Sequence, residues 1–138
     1  MWLRQKIISS FRELFLHHHG SLEFRAKILT FIILADDVYN HCDKENLQKV
    51  AKQIYPNDKD RIEALIYTTE EYIEKFLKNN SYSDKIVQDI QEDLKRTSRF
   101  VDKIETNLLL CFMQCSDKEE NIIYKKRIID FLNDLKNQ

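Results

Sequence analysis

Four acidic side chains crowd one short stretch of the chain, Asp36, Asp37, Asp43 and Glu45, and a second group, Asp117, Glu119 and Glu120, lies near its other end. Carboxylates are hard oxygen donors, so both stretches are candidate sites for Ca²⁺ or Mg²⁺. A tight site for such an ion needs about six or more converging oxygens. Neither stretch has the regular alternation and central glycine of a calcium-binding loop. The same residues also suit helix ends: Asn40 precedes Asp43 by three positions, and Ser116 precedes Glu119 by three, the spacing of reciprocal capping boxes. A metal site and well-capped corners therefore both remain open.

Histidines and cysteines give weaker signals. His17, His18 and His19 are consecutive, and neighbours on a helix diverge by about 100°, so three of them cannot meet one ion while helical. Cationic side chains at a helix C-terminus suit the macrodipole equally well. His41 and Cys42 could join Cys111 and Cys115 in a zinc site, but small buried apolar cysteines are the commoner case, so zinc ranks below a hard cation. Catalysis would call for a phosphate-cradling glycine loop, a nucleophile beside its base, or paired carboxylates in a pocket. The chain has one glycine and no Glu-x-x-His ligand pair, and no enzyme is expected.

These residues sit between segments of helical periodicity. Leu3, Ile7, Ile8, Phe11, Leu14 and Phe15 recur at spacings of three and four, which predicts an amphipathic helix over 2–16, ended by Gly20 with Ser21 capping its successor. A second, mostly apolar helix is predicted from Leu22 to Val38, at the centre of the fold. A third runs from the Asn40/Asp43 corner to Pro56. Asn57 with Asp60 is taken as the next cap, for a helix reaching Leu77 before Asn79 and Asn80, and Ser83 caps the one after. A joint over Lys95–Arg99, with Ser98 as cap, leads to a sixth helix over Phe100–Cys115. The Ser116-Asp117-Lys118-Glu119 box opens the last, with Ile122, Ile128, Phe131 and Leu132 inward.

With 138 residues, one glycine and one proline, the chain holds one core and almost no sites for tight hairpin turns. The fold class is all-α, a single-domain bundle of about six to seven helices: an N-terminal helix over 1–20 and a core over 21–138. A net charge of -1 supplies no global field for nucleic acid. The local basic clusters, Lys95, Arg96, Arg99 and Lys103 and then Lys125, Lys126 and Arg127, lack the aromatic or glycine-rich companions of nucleic-acid motifs. The apolar run Ile28–Ala35 is far short of the ~20 residues needed to span a bilayer. Three cysteines, an odd number, and no leader pattern make a reducing cytoplasm the simplest setting.

Two parts of the chain echo one another. Setting Phe31 against Phe112 also aligns Asp36 with Asp117, Leu47 with Ile128, Ala51 with Leu132 and Ile54 with Leu135, so two pseudo-symmetric halves are expected. At these residues the chain resembles the tellurite-resistance TerB-like family, whose signature is an apolar helix ending in Ala-Asp-Gly, a cap and a later acid. The matching stretch is Ala35-Asp36-Asp37-Val38-Tyr39-Asn40-His41-Cys42-Asp43. It departs from the pattern in having Asp37 where glycine is usual, and in a shorter second corner. The resemblance implies a non-enzymatic module that holds a divalent cation at the acidic corner and binds a protein partner, membrane-associated or chaperone-linked, in stress response or in assembly at the inner face of the membrane. The alternative is a plain helical interaction or immunity-type protein whose acids are structural.

Overall fold

A computed structural model describes residues 20–78 and 82–138. The expected helix over 2–16, the histidine run, Asn79 and Asn80 lie outside the described residues, as does the side chain of Ser83. The described chain is an all-α, single-domain bundle of five α-helices and three 3₁₀ segments. No helix among the described residues is long and apolar enough to cross a membrane.

The first helix, α1, spans Ser21–Ile33, and nearly all of its apolar residues are buried, from Leu22 and Phe24 to Ile32 and Ile33. A helix apolar all round must be enclosed. It packs against three of the later α-helices and against all three 3₁₀ segments. Its one buried hydroxyl, on Thr30, donates to the Ala26 carbonyl at 2.8 Å, which satisfies a polar group that the core could not. Gly20, not Ser21, occupies the N-cap position, with φ 52 in the left-handed region, and as a glycine it makes no side-chain cap bond. A Cβ at Gly20 would lie 3.3 Å from the Phe100 ring, so both backbone and space favour glycine there. The helix is also shorter than its apolar pattern: after Ile33 the chain tightens into a 3₁₀ turn over Leu34–Asp36.

Helix α2, His41–Ile54, begins at Asn40 with both bonds of the expected capping box in place and buries Leu47, Val50 and Ala51. It stops before Pro56. Asn57, taken as the next cap from sequence, is instead a left-handed turn residue with φ 63. Asp58 caps α3, Lys59–Leu77, by accepting from the Arg61 amide. One residue of turn geometry decides between them, because Asn57 cannot be both left-handed and in the extended conformation usual for a cap. Helix α4 runs over Tyr82–Arg96.

The expected sixth helix is not α-helical. Residues Ser98–Lys103 and Thr106–Cys115 form two 3₁₀ segments, broken at Ile104 and Glu105. The break buries Ile104 and lets Glu105 accept from the Arg25 guanidinium on α1. Phe100 stacks on Phe24 at 5.2 Å between centroids, which fixes the first segment against α1. The last helix, α5, spans Glu119–Lys136, with Lys118 at its N-cap position and no side-chain cap bond, so the Ser116 box does not form. The two halves are accordingly unlike: one corner follows an α-helix and a 3₁₀ turn, the other a ten-residue 3₁₀ segment.

Candidate functional site

Asp36 and Asp43 do come together, and the wall opposite them is the stretch before α5. The 3₁₀ turn at Leu34–Asp36 and the left-handed Asp37, φ 62, reverse the chain so that Asp36 faces inward. Its Oδ2 accepts from the Ser116 hydroxyl at 2.6 Å. Lys125 of α5 approaches the same oxygen at 3.4 Å, with the two side chains 0% and 4% exposed. The Lys125 ammonium also donates to the Phe112 carbonyl at 2.9 Å. Read from sequence as part of a basic surface cluster, Lys125 is fully buried.

Asp43 completes the capping box: its Oδ2 accepts from the Asn40 amide at 3.0 Å, and its own amide donates to Asn40 Oδ1 at 2.9 Å. Oδ1 of Asp43 is buried with no hydrogen-bond partner. Burial therefore dominates its titration and pushes the carboxyl up to about 6; the Asn40 amide and the Lys125 charge pull it back, and the Asp36 charge adds to the rise.

A disulfide joins Cys42 in the first turn of α2 to Cys115 at the end of the 3₁₀ segment. This corrects the reading of the cysteines as separate apolar fillers or zinc ligands, and it removes the cysteine count as an argument for a reducing compartment. Asn40 and Asn46 tie the same two elements together. Asn40 Nδ2 donates to the Cys115 carbonyl at 3.1 Å, and Asn46 Nδ2 lies 3.0 Å from the Cys111 carbonyl and 3.1 Å from Cys115 Sγ. Cys111 stays a free thiol, which burial pushes up.

The remaining predicted ligands do not converge. Asp37, Glu45, Asp117, Glu119 and Glu120 are exposed. Glu45 instead pairs with His41, one turn away on the surface of α2, at 2.8 Å. Among the described residues, no three His, Cys, Asp or Glu side chains gather to hold a metal ion. Two buried carboxylates fall short of the oxygens a hard cation requires, and an ammonium already lies against one of them. Asp43 and Lys125 are both sealed from solvent.

Among the described residues, openings also lie elsewhere. A polar cleft of about 390 Å³ beside Gly20 is lined by Glu23, Lys27, Asp93 and Arg96. Its charges serve one another: Asp93 takes Lys27 at 2.7 Å and Arg96 at 2.8 Å, so Asp93 is a buried partner of α1 and not a solvated surface acid. A shallower groove of about 230 Å³ runs between α4 and α5, lined by Phe31, Val87, Tyr124, Ile128 and Phe131, with Asp84 and Arg127 at its edges. It is smaller than the ~300–1,000 Å³ usual for small-molecule pockets.

Sequence reasoning missed Lys125, Ser116 as a partner of Asp36, and the disulfide. A signal for Lys125 was present, since it stands three and four positions from Ile122, Ile128 and Ile129 and seven from Leu132, in the apolar register of its helix. No family model, curated protein or solved structure matches this chain.

Proposed function

We propose that this protein is a non-enzymatic helical interaction module, which binds an amphipathic helix of a protein partner in the groove between α4 and α5. Its acidic corner is scaffolding, closed from within by Lys125. The observation that carries the reading is the contrast between the two regions. The charged groups of the corner are buried and answered by a lysine of the same chain, whereas the groove exposes Tyr124, 41% accessible, at its rim, with Val87 and Phe131 half-buried below it over a floor of buried Phe31 and Ile128. A cleft between two helices with an acid on one edge and a base on the other suits a helix that brings apolar anchors at i, i+3, i+4 and i+7 and a charge of opposite sign to each edge.

The test is selection from a displayed library of amphipathic helical peptides, with the intact chain as bait and a Val87→Glu, Tyr124→Glu variant as counter-bait. Peptides with that anchor spacing should be enriched and should lose binding to the variant. Peptides that bind both baits equally would rule out the groove.

The TerB-like resemblance supports a second reading, a divalent cation at Asp36 and Asp43. Two features favour it: Asp37 adopts the left-handed backbone that a glycine would supply, and Asp43 Oδ1 lacks a partner. A thermal melt of chelator-treated protein titrated with Ca²⁺ and then Mg²⁺ separates the two, because a ligand of the native state alone raises the midpoint. The interaction-module reading expects no shift. A saturable rise that disappears in Asp36→Asn would establish the cation.

A further inference from the structure

The stretch before α5 is held in place from outside. Its 3₁₀ segment, Thr106–Cys115, runs for 10 residues, whereas 3₁₀ runs beyond three or four residues are uncommon and their hydrogen bonds are poorer than those of an α-helix. The local sequence favours the α form, since Leu108, Leu109, Phe112 and Cys115 recur at spacings of three and four. Rewinding ten residues from ~2.0 to ~1.5 Å of rise each would shorten the segment by about 5 Å. That would draw Cys115 and Ser116 away from α2 and from Asp36. Four groups oppose it: Asn46 on the Cys111 carbonyl, Lys125 on the Phe112 carbonyl, Asn40 on the Cys115 carbonyl, and the covalent link from Cys42 to Cys115. The Cα atoms of the linked pair are 5.4 Å apart, and a disulfide cannot follow a separation beyond about 7 Å.

We propose that the Cys42–Cys115 disulfide is a reversible redox latch: reduction by a dithiol frees the end of segment 106–115 from α2, and the segment rewinds toward an α-helix. The bonds from Asn40, from Asn46 and from Ser116 to Asp36 then part, and water enters the buried network of Asp36, Asp43 and Lys125.

The chemistry balances as two thiol–disulfide exchanges. A thiolate of the dithiol attacks Cys42 Sγ, the less buried end, and the Cys42–Cys115 bond breaks. Cys115 departs as a thiolate and takes a proton. Its sulfur already lies 3.1 Å from the Asn46 amide, a donor placed to stabilise the leaving charge. The second thiol of the reductant then displaces Cys42, whose thiolate forms at the N-terminus of α2 before it too is protonated. The bridge gains two electrons and two protons, and the dithiol becomes a disulfide. Cys111 takes no part: burial keeps its thiol protonated, and it donates to the Leu108 carbonyl.

The full chain, incubated with dithiothreitol in the absence of denaturant, tests the latch. Alkylation with a maleimide and mass measurement should count one thiol before reduction and three after. Hydrogen exchange at 106–116 should change by roughly ten-fold or more while α1 and α3 stay protected. The ratio of ellipticity at 222 to 208 nm should rise, and oxidised glutathione should restore the starting state. Cys115→Ser should show the reduced exchange pattern without reductant, and Cys111→Ser should behave as the unaltered chain. A bridge that resists dithiothreitol until urea unfolds the protein would overturn the proposal. So would reduction that leaves exchange at 106–116 unchanged, or reduction that removes protection everywhere.

Discussion

Asp43 caps α2 through one carboxylate oxygen while the other is buried without a partner. The helix end gains a bond, and the ionised form pays for its desolvation. Because burial raises the folded-state value from the ordinary 3.8 to about 6, the native state holds this proton more tightly than the unfolded chain does. The associated stability is fully present below pH ~3.8 and is lost as pH rises through about 6. At neutral pH the ionised group is therefore a liability of order 2–3 kcal/mol. Asp43→Asn can keep the cap bond through its amide oxygen. It should raise the thermal midpoint at pH 7.5 and keep roughly half of that advantage at pH 5, losing it below pH ~3.8. A variant that melts below the unaltered chain at pH 7.5 would mean that Asp43 is held by its attraction to Lys125 more strongly than burial opposes it. Lys125 itself is the more sensitive member: Lys125→Met would strip the buried counter-charge from Asp36, a loss of about 3–5 kcal/mol in urea unfolding. Pairing it with Asp36→Asn should recover part of that loss, since no buried charge is then left alone.

At the scale of elements, the helices that follow their own periodicity were legible in the sequence, and the segments whose shape is set by distant partners were not. The apolar centre of α1, the Asn40/Asp43 box and the stop before Pro56 are local features, and each is present. The stretch 98–115 carries an α-helical pattern, yet three carbonyls near its end, of Cys111, Phe112 and Cys115, are taken by Asn46, Lys125 and Asn40 from elsewhere in the fold, and no window of local sequence contains those partners. Ser116 failed as a cap for the same reason, since its hydroxyl is committed to Asp36 across the fold. The acidic corner was half legible: Asp36 and Asp43 meet, but the cation beside them belongs to the chain. The choice of cap on α3 gives a direct check. Asp58→Ala removes the bond to the Arg61 amide and should cost about 1 kcal/mol. Asn57→Gly, at a left-handed residue, should be near neutral in the same chemical unfolding experiment.

For the molecule as a whole, the bridge between Cys42 and Cys115 encloses a separation of 73 residues, more than half of the 138 in the chain. The loop it closes contains α3, α4 and both long 3₁₀ segments, so the cross-link restricts the unfolded chain across most of the bundle. On the chain-entropy account a loop of this size stabilises the native state by about 4 kcal/mol. Two-state domains of this length have net stabilities of about 5–15 kcal/mol. The bundle can therefore outlast loss of the bridge, as a reversible latch requires. The paired substitution Cys42→Ser, Cys115→Ser should lower the urea midpoint. It should also steepen the transition, because an unfolded chain freed of its loop exposes more surface and m grows with that surface. The two parameters separate the possible origins of the effect. A lower midpoint with a larger m places the action of the bridge in the unfolded state; a lower midpoint with unchanged m places it in native contacts around Asn46 and Cys115. An unchanged midpoint would mean that strain in the folded bundle cancels the entropy gained, and that the 3₁₀ segment is held by Asn40, Asn46 and Lys125 alone.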